Sequence, residues 1–127
     1  MTKVGINTAV PLHIVPLADL PCIDLDVMKH YISSEKDVFE PLLVGFLNSL
    51  EAHEMLLLDC FTEKNWLALA AGAHQLHGSA AYFGAGQLLA LCRQLQYVTI
   101  EADVQQVAPL VEQLQQAFEN LRYYRVE

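Results

Sequence analysis

Two histidines three residues apart, His74 and His77, sit in the stretch Ala73-His74-Gln75-Leu76-His77-Gly78-Ser79-Ala80-Ala81. A neutral imidazole is nucleophilic near pH 7 without strong activation, because its unperturbed pKa is about 6.5. Read as a helix, the stretch places Leu69, Ala73, Leu76, Ala80 and Phe83 on one side at spacings of three and four, the pattern of a core face. The opposite side carries His74 with Leu67, Ala70, Ala71, Gly78 and Ala81. A solvated face would carry Glu, Lys and Gln; this one is apolar and mostly small. Gly78, one turn after His74, costs about 1 kcal/mol against Ala inside a helix. Bare backbone beside an imidazole implies that something large approaches closely. His74 is therefore the candidate reactive group, and Leu67, Ala70, Ala71, Gly78 and Ala81 are the floor around it.

Other chemistry is poorly served. The pair His74/His77 has metal-like i, i+3 spacing, but no Asp or Glu lies within a turn on that face, and Glu63 is about three turns back. Two histidines alone rarely make a specific metal site, so none is expected. Gly84-Ala85-Gly86 is a turn and not a phosphate-cradling loop. Cys22, Cys60 and Cys92 form no close pair and no metal spacing, as expected of reduced thiols in the cytoplasm. Cys92 reads as a small core residue, and Trp66, Tyr82, Tyr123 and Tyr124 read as packing residues.

The same residues resemble a known family. His74-x-Leu76-x-Gly78-Ser79-Ala80, then Phe83-Gly84-Ala85, then Cys92-x-x-Leu95-Gln96 is similar to the histidine phosphotransfer (HPt) domain of bacterial multistep phosphorelays. The likeness is dense from Leu69 to Gln96 and weaker from Ile23 to Phe61. It implies that His74 is the phosphoacceptor, attacking through Nε2 while Nδ1 keeps its proton. Gln96 matches the Glu/Gln that orients the imidazole. Ser79 falls at the Gly-Ser/Ala position, where it either bonds back to its helix or touches the phosphoryl group. His77 departs from the pattern, standing where the family usually has Lys, and supplies that charge only when protonated.

With 127 residues and 54% apolar content the chain is expected to form one domain with a real core. A net charge of −8 argues against nucleic acid and against an anionic membrane surface. The longest apolar runs, Trp66–Ala73 and Met55–Leu58, fall far short of a membrane span, and the start does not read as a secretory signal.

Pro11, Pro16 and Pro21 keep residues 1–22 extended, as a linker or a strap lying on the domain formed by residues 23–127. Such a lead fits a junction to an upstream hybrid sensor kinase in the same chain, whereas Met1 fits a free-standing protein. Asp24–Ile32 reads as a short helix broken by Ser33-Ser34. Asp37 with Glu40 resembles a capping box with Pro41 in the first turn, opening a helix that runs toward Cys60. A third helix starts at Thr62 or Asn65, Gly84–Gly86 makes the hairpin, and Leu88, Leu89, Leu91, Cys92, Leu95 and Val98 are the core of a fourth. A fifth opens at Ala102-Asp103 and runs through Leu121, with Pro109 calling for a later start or a kink. The expected fold is all-α, an antiparallel up-down four-helix bundle with an additional short N-terminal helix.

The reading is of a phosphorelay intermediate that takes a phosphoryl group from one receiver-domain aspartate and passes it to another. It is a phosphocarrier with no kinase or nucleotide site and no cofactor of its own, Mg²⁺ being supplied by the receiver. The alternatives are an HPt-like protein that docks on receivers without transferring phosphate, and a purely structural, self-associating helical bundle.

Overall fold

Five α-helices and one 3₁₀ turn account for the regular structure of the computed structural model, which describes residues 15–100 and 104–124 and has no strand among them. A 3₁₀ turn, Leu17–Asp19, precedes α1 (Leu25–Tyr31), α2 (Lys36–Thr62), α3 (Trp66–Tyr82), α4 (Gly86–Ile100) and α5 (Val104–Arg122). α3 packs on α4, α4 on α5, α2 on both α3 and α5, and α1 lies against α3. Leu43, Leu57, Leu69, Leu76, Leu88, Leu91, Leu95, Leu110, Leu114 and Phe118 fill the space between them.

The helix ends follow their local chemistry. Asp24 caps α1, its Oδ1 accepting from the amides of Asp26 at 3.0 Å and Val27 at 3.4 Å. Asn65, one of two expected starts, caps α3 by accepting from the Ala68 amide at 3.2 Å. The capping box expected at Asp37 is not formed. Ser33 Oγ accepts from the Glu35 amide at 3.0 Å and brings the chain into the helix earlier, so α2 begins at Lys36 with Glu35 as its N-cap. Asp37 is then the second residue of the helix, Glu40 pairs with Lys36 at 3.5 Å, and Pro41 lies beyond the first turn. α2 also runs two residues past Cys60, to Thr62. The opening expected at Ala102-Asp103 lies outside the described residues; α5 is helical from Val104 and contains Pro109.

Two tight places hold the helices in register. Gly84, at φ +62°, closes the α3–α4 turn, and a Cβ there would stand 2.6 Å from the Asp24 carbonyl oxygen. Gly72 lets α3 close on α2, since a Cβ would meet Leu57 Cδ2 at 2.9 Å.

The described segment ahead of α1 is held by amide side chains for which the sequence offers no signal. Gln113 on α5 takes both backbone groups of Val15: its Oε1 accepts from the Val15 amide at 2.8 Å and its Nε2 donates to the Val15 carbonyl at 2.7 Å. Gln87, only 5% exposed, donates from Nε2 to the carbonyls of Leu17 and Leu20 and accepts at Oε1 from Asn120 at 3.0 Å. With the hydrogens and the oxygen of the Gln87 amide all engaged, these bonds offset the cost of taking it out of water. Val15 is buried and Leu17, Leu20 and Cys22 are partly so, which is packing of the kind expected; Val10, Leu12 and Ile14 lie outside the described residues.

Candidate functional site

α3 divides around its circumference as its sequence pattern implies. Leu69, Ala73, Leu76 and Ala80 are wholly buried, while His74, Ala71 and Gly78 are exposed. Leu67 is 85% exposed, and Ala70 and Ala81 are half-buried at the edge of the face. A Cβ on Gly78 would meet nothing within 4 Å. Nothing inside the protein therefore calls for glycine at this position, and the space beside His74 opens outward.

The imidazole of His74 is latched from α4. Its Nδ1 lies 2.9 Å from Gln96 Oε1, and Gln96 Nε2 donates to the Cys92 carbonyl at 3.2 Å. The second bond fixes which end of the amide faces the ring: Nε2 is spent on the carbonyl, so the oxygen accepts and Nδ1 must carry the proton. Nε2 of His74 is thereby left with a free lone pair. The contact bridges 22 residues of sequence and depends on α3 and α4 running in opposite directions from their short turn.

His77 sits differently. It lies on the side of α3 that faces α4, its ring stacked near-parallel to that of His74 with centroids 6.4 Å apart. Its Nε2 is buried and meets no hydrogen-bond partner. Burial holds its pKa below the ordinary histidine value, and the positive charge of Arg93 and the neighbouring His74 push the same way. These influences favour the uncharged ring, which weakens this position as a source of positive charge.

Ser79 is five residues on from His74, which turns it about 140° around the helix. Its hydroxyl makes no hydrogen bond among the described residues, to the helix backbone or elsewhere. The packing roles expected of the aromatic residues divide. Trp66 stacks obliquely on Phe61, and Tyr124 is partly buried. Tyr82, however, is 56% exposed, edge-on to Tyr31 of α1 at 6.3 Å, and Tyr123 is exposed as well. Two bulky neighbours of the His74 face, Tyr31 and Arg93, were given no role from the sequence, and Tyr82 was expected only to pack. Arg93 had a signal there, being the single Lys or Arg between Trp66 and Ile100. The tyrosines had none, since exposure of an aromatic residue at a helix end is set by what packs beside it.

The cysteines are free. Cys92 is fully buried, and burial pushes its thiol up to about 12, which leaves it inert as a nucleophile. No group of three or more His, Cys, Asp or Glu able to hold a metal occurs among the described residues, and no described helix is long and apolar enough to cross a membrane.

Comparison with known proteins gives a family. The Hpt domain family model matches residues 41–124, about two thirds of the chain, and the match takes in α3, α4, α5, the His74–Gln96 latch and most of α2. No curated protein and no solved structure gives a significant match. With an exposed, latched imidazole on an all-helical scaffold and this match over most of its length, the chain belongs to the Hpt domain family, the phosphocarrier modules that engage response-regulator receiver domains in phosphorelays.

Proposed function

We propose that this protein is a phosphorelay intermediate in which His74 accepts a phosphoryl group from the aspartate of one receiver domain and passes it to that of another. The observation that carries the proposal is the latch: Gln96 fixes the proton on Nδ1 and leaves Nε2 open on an exposed face of small residues. In the transfer, the Nε2 lone pair forms the N–P bond as the P–O bond to the aspartyl carbonyl breaks, and the leaving electrons return the aspartate to its carboxylate. No proton moves: Nδ1 keeps its hydrogen, and the positive charge gained by the ring offsets one charge of the phosphoryl group.

Leu67, Ala70, Ala71, Gly78 and Ala81 form the docking floor, and the Tyr31–Tyr82 pair extends it toward α1. Small side chains let the receiver's acyl phosphate come within bonding reach of Nε2, which is the positioning half of catalysis. The receiver supplies the Mg²⁺ and most of the electrostatic stabilisation. The protein is a carrier and not an enzyme, it works in the cytoplasm, and its contact with each receiver is brief and modest in area. The ring of helix contacts, α2 to α3 to α4 to α5 and back to α2, supports reading the fold as an antiparallel up-down four-helix bundle with α1 added. We read residues 23–127 as the domain and 1–22 as a linker or strap, of a kind that would suit either a junction to an upstream hybrid sensor kinase or the lead of a free-standing protein.

The test is transfer from a phosphorylated receiver domain to wild type and to His74→Gln. Acid-labile, base-stable label on wild type and none on the variant is expected. Receiver binding without label on either protein would sink the carrier role in favour of docking alone.

A further inference from the structure

The hairpin from Trp66 to Ile100 contains no Asp or Glu and a single Lys or Arg, Arg93, in a chain whose net charge is −8. Register places that one cation. The His74–Gln96 contact fixes how α3 and α4 pass each other, running in opposite directions from their turn. Three residues forward from His74 and three back from Gln96 bring His77 level with Arg93. Arg93 is exposed, and no carboxylate forms an ion pair with it among the described residues. Three residues of helix rise, about 4.5 Å, separate its level from that of His74, within the span of an extended arginine.

A phosphoryl group on His74 carries close to two negative charges, and a cation within reach that no carboxylate pairs is its natural counterpart. His77, nearer in sequence, is poorly suited to the part, because its Nε2 is already buried and points to no open space where an oxygen could meet it. We propose that Arg93 binds the oxygens of the phosphoryl group carried by His74, reaching across from α4 to supply the charge that α3 itself does not. The proposal rests on the carrier reading. It assigns to α4 both contacts that tune the imidazole: Gln96 on the proton side and Arg93 on the phosphate side.

The experiment uses the full chain and phosphoramidate, a small donor that needs no partner. Its P–N bond breaks as Nε2 of His74 attacks, and the amine, already protonated, leaves as ammonia. Formation and hydrolysis of phosphohistidine are followed by ³¹P NMR in wild type, H74Q, R93Q, R93K and H77Q. In R93Q, phosphorylation slows about tenfold. The ³¹P titration midpoint of the phosphoryl group also moves upward, because a nearby cation favours its more ionised form. R93K recovers most of both effects, and H77Q loses less than R93Q. A wild-type chain that takes no label overturns the carrier reading and Arg93 with it. A wild-type chain that labels, with R93Q matching its rate and its ³¹P titration, overturns Arg93 alone. So does a loss confined to H77Q, or an R93K as impaired as R93Q.

Discussion

The two sides of the bundle are built from different materials. The α3–α4 side has a turn of three residues, alanine and glycine on its outer face, and no carboxylate from Trp66 to Ile100. The α2–α5 side is charged and less closely packed. Between those helices lies a groove of about 660 Å³, rimmed by Glu40, Glu51 and Glu54 and floored by Leu50, Phe118 and Leu121. Arg122 spans it, meeting Glu54 at 3.0 Å and also Glu119 on its own helix. Neither α3 nor α4, the two helices that build the His74 site, contributes a carboxylate. Exposed carboxylates within a screening length of about 8 Å would repel an incoming acyl phosphate. The comparison indicates that charge was excluded from one side, and that charge on the other side serves hydration and cohesion.

The comparison breaks most sharply with an acid placed on each side. Ala71→Glu, on the exposed face one turn before His74, is expected to lower the rate of transfer from a phosphorylated receiver by tenfold or more. Asn48→Glu, on the rim of the α2–α5 groove, changes it by less than twofold. Equal losses in stopped-flow transfer assays would show that net charge, and not its placement, governs the encounter.

A subtler pair uses the two exposed helix glycines whose added Cβ would meet nothing within 4 Å, Gly78 on α3 and Gly45 on α2. Replacing either by Ala removes backbone freedom from the unfolded chain and is expected to raise stability by about 0.5–1 kcal/mol in urea titrations. Only Gly78→Ala is expected to slow transfer, by several-fold, since the new methyl occupies the partner's approach. A Gly78→Ala protein that gains stability and keeps its rate would remove Gly78 from the docking floor.

The smallest effect concerns acid. His77 binds protons less readily folded than unfolded, so the unfolded chain takes up more of them as pH falls through the ordinary histidine range. Its contribution is fully present above about pH 6.5 and declines below it. The thermal midpoint should therefore fall between pH 7.5 and 5.5, and His77→Gln should flatten that slope. An unchanged slope in the variant would mean that His77 is not the group responsible.

Much of this was legible in the residues themselves. The apolar spacing of Leu69, Ala73, Leu76 and Ala80 defined the buried side of α3, because a helix core needs nothing beyond period and size. Gly84 marked the hairpin because only a residue without Cβ tolerates φ +62° against the Asp24 backbone. Asp37 misled, because a capping signature is a local preference and Ser33 offered the backbone a competing bond two residues earlier. Gln87 and Gln113 went unnoticed because an amide reads as surface until the chain it will clamp is folded over it. Arg93 required the register of two helices. The absence of other charges in the hairpin marked it, but its neighbour across the interface is legible only once α3 and α4 are paired.

The Gln113 clamp has a mechanical consequence. Both of its hydrogen bonds fall on one residue, Val15, so a pull on the chain ahead of that point loads them together and they must yield together. The next anchor, Gln87, again grips through two carbonyls. Tension from upstream is thus taken by α5 and the first turn of α4, in two steps. The latch that aims His74 sits farther along α4, at Gln96, nine residues beyond the second anchor.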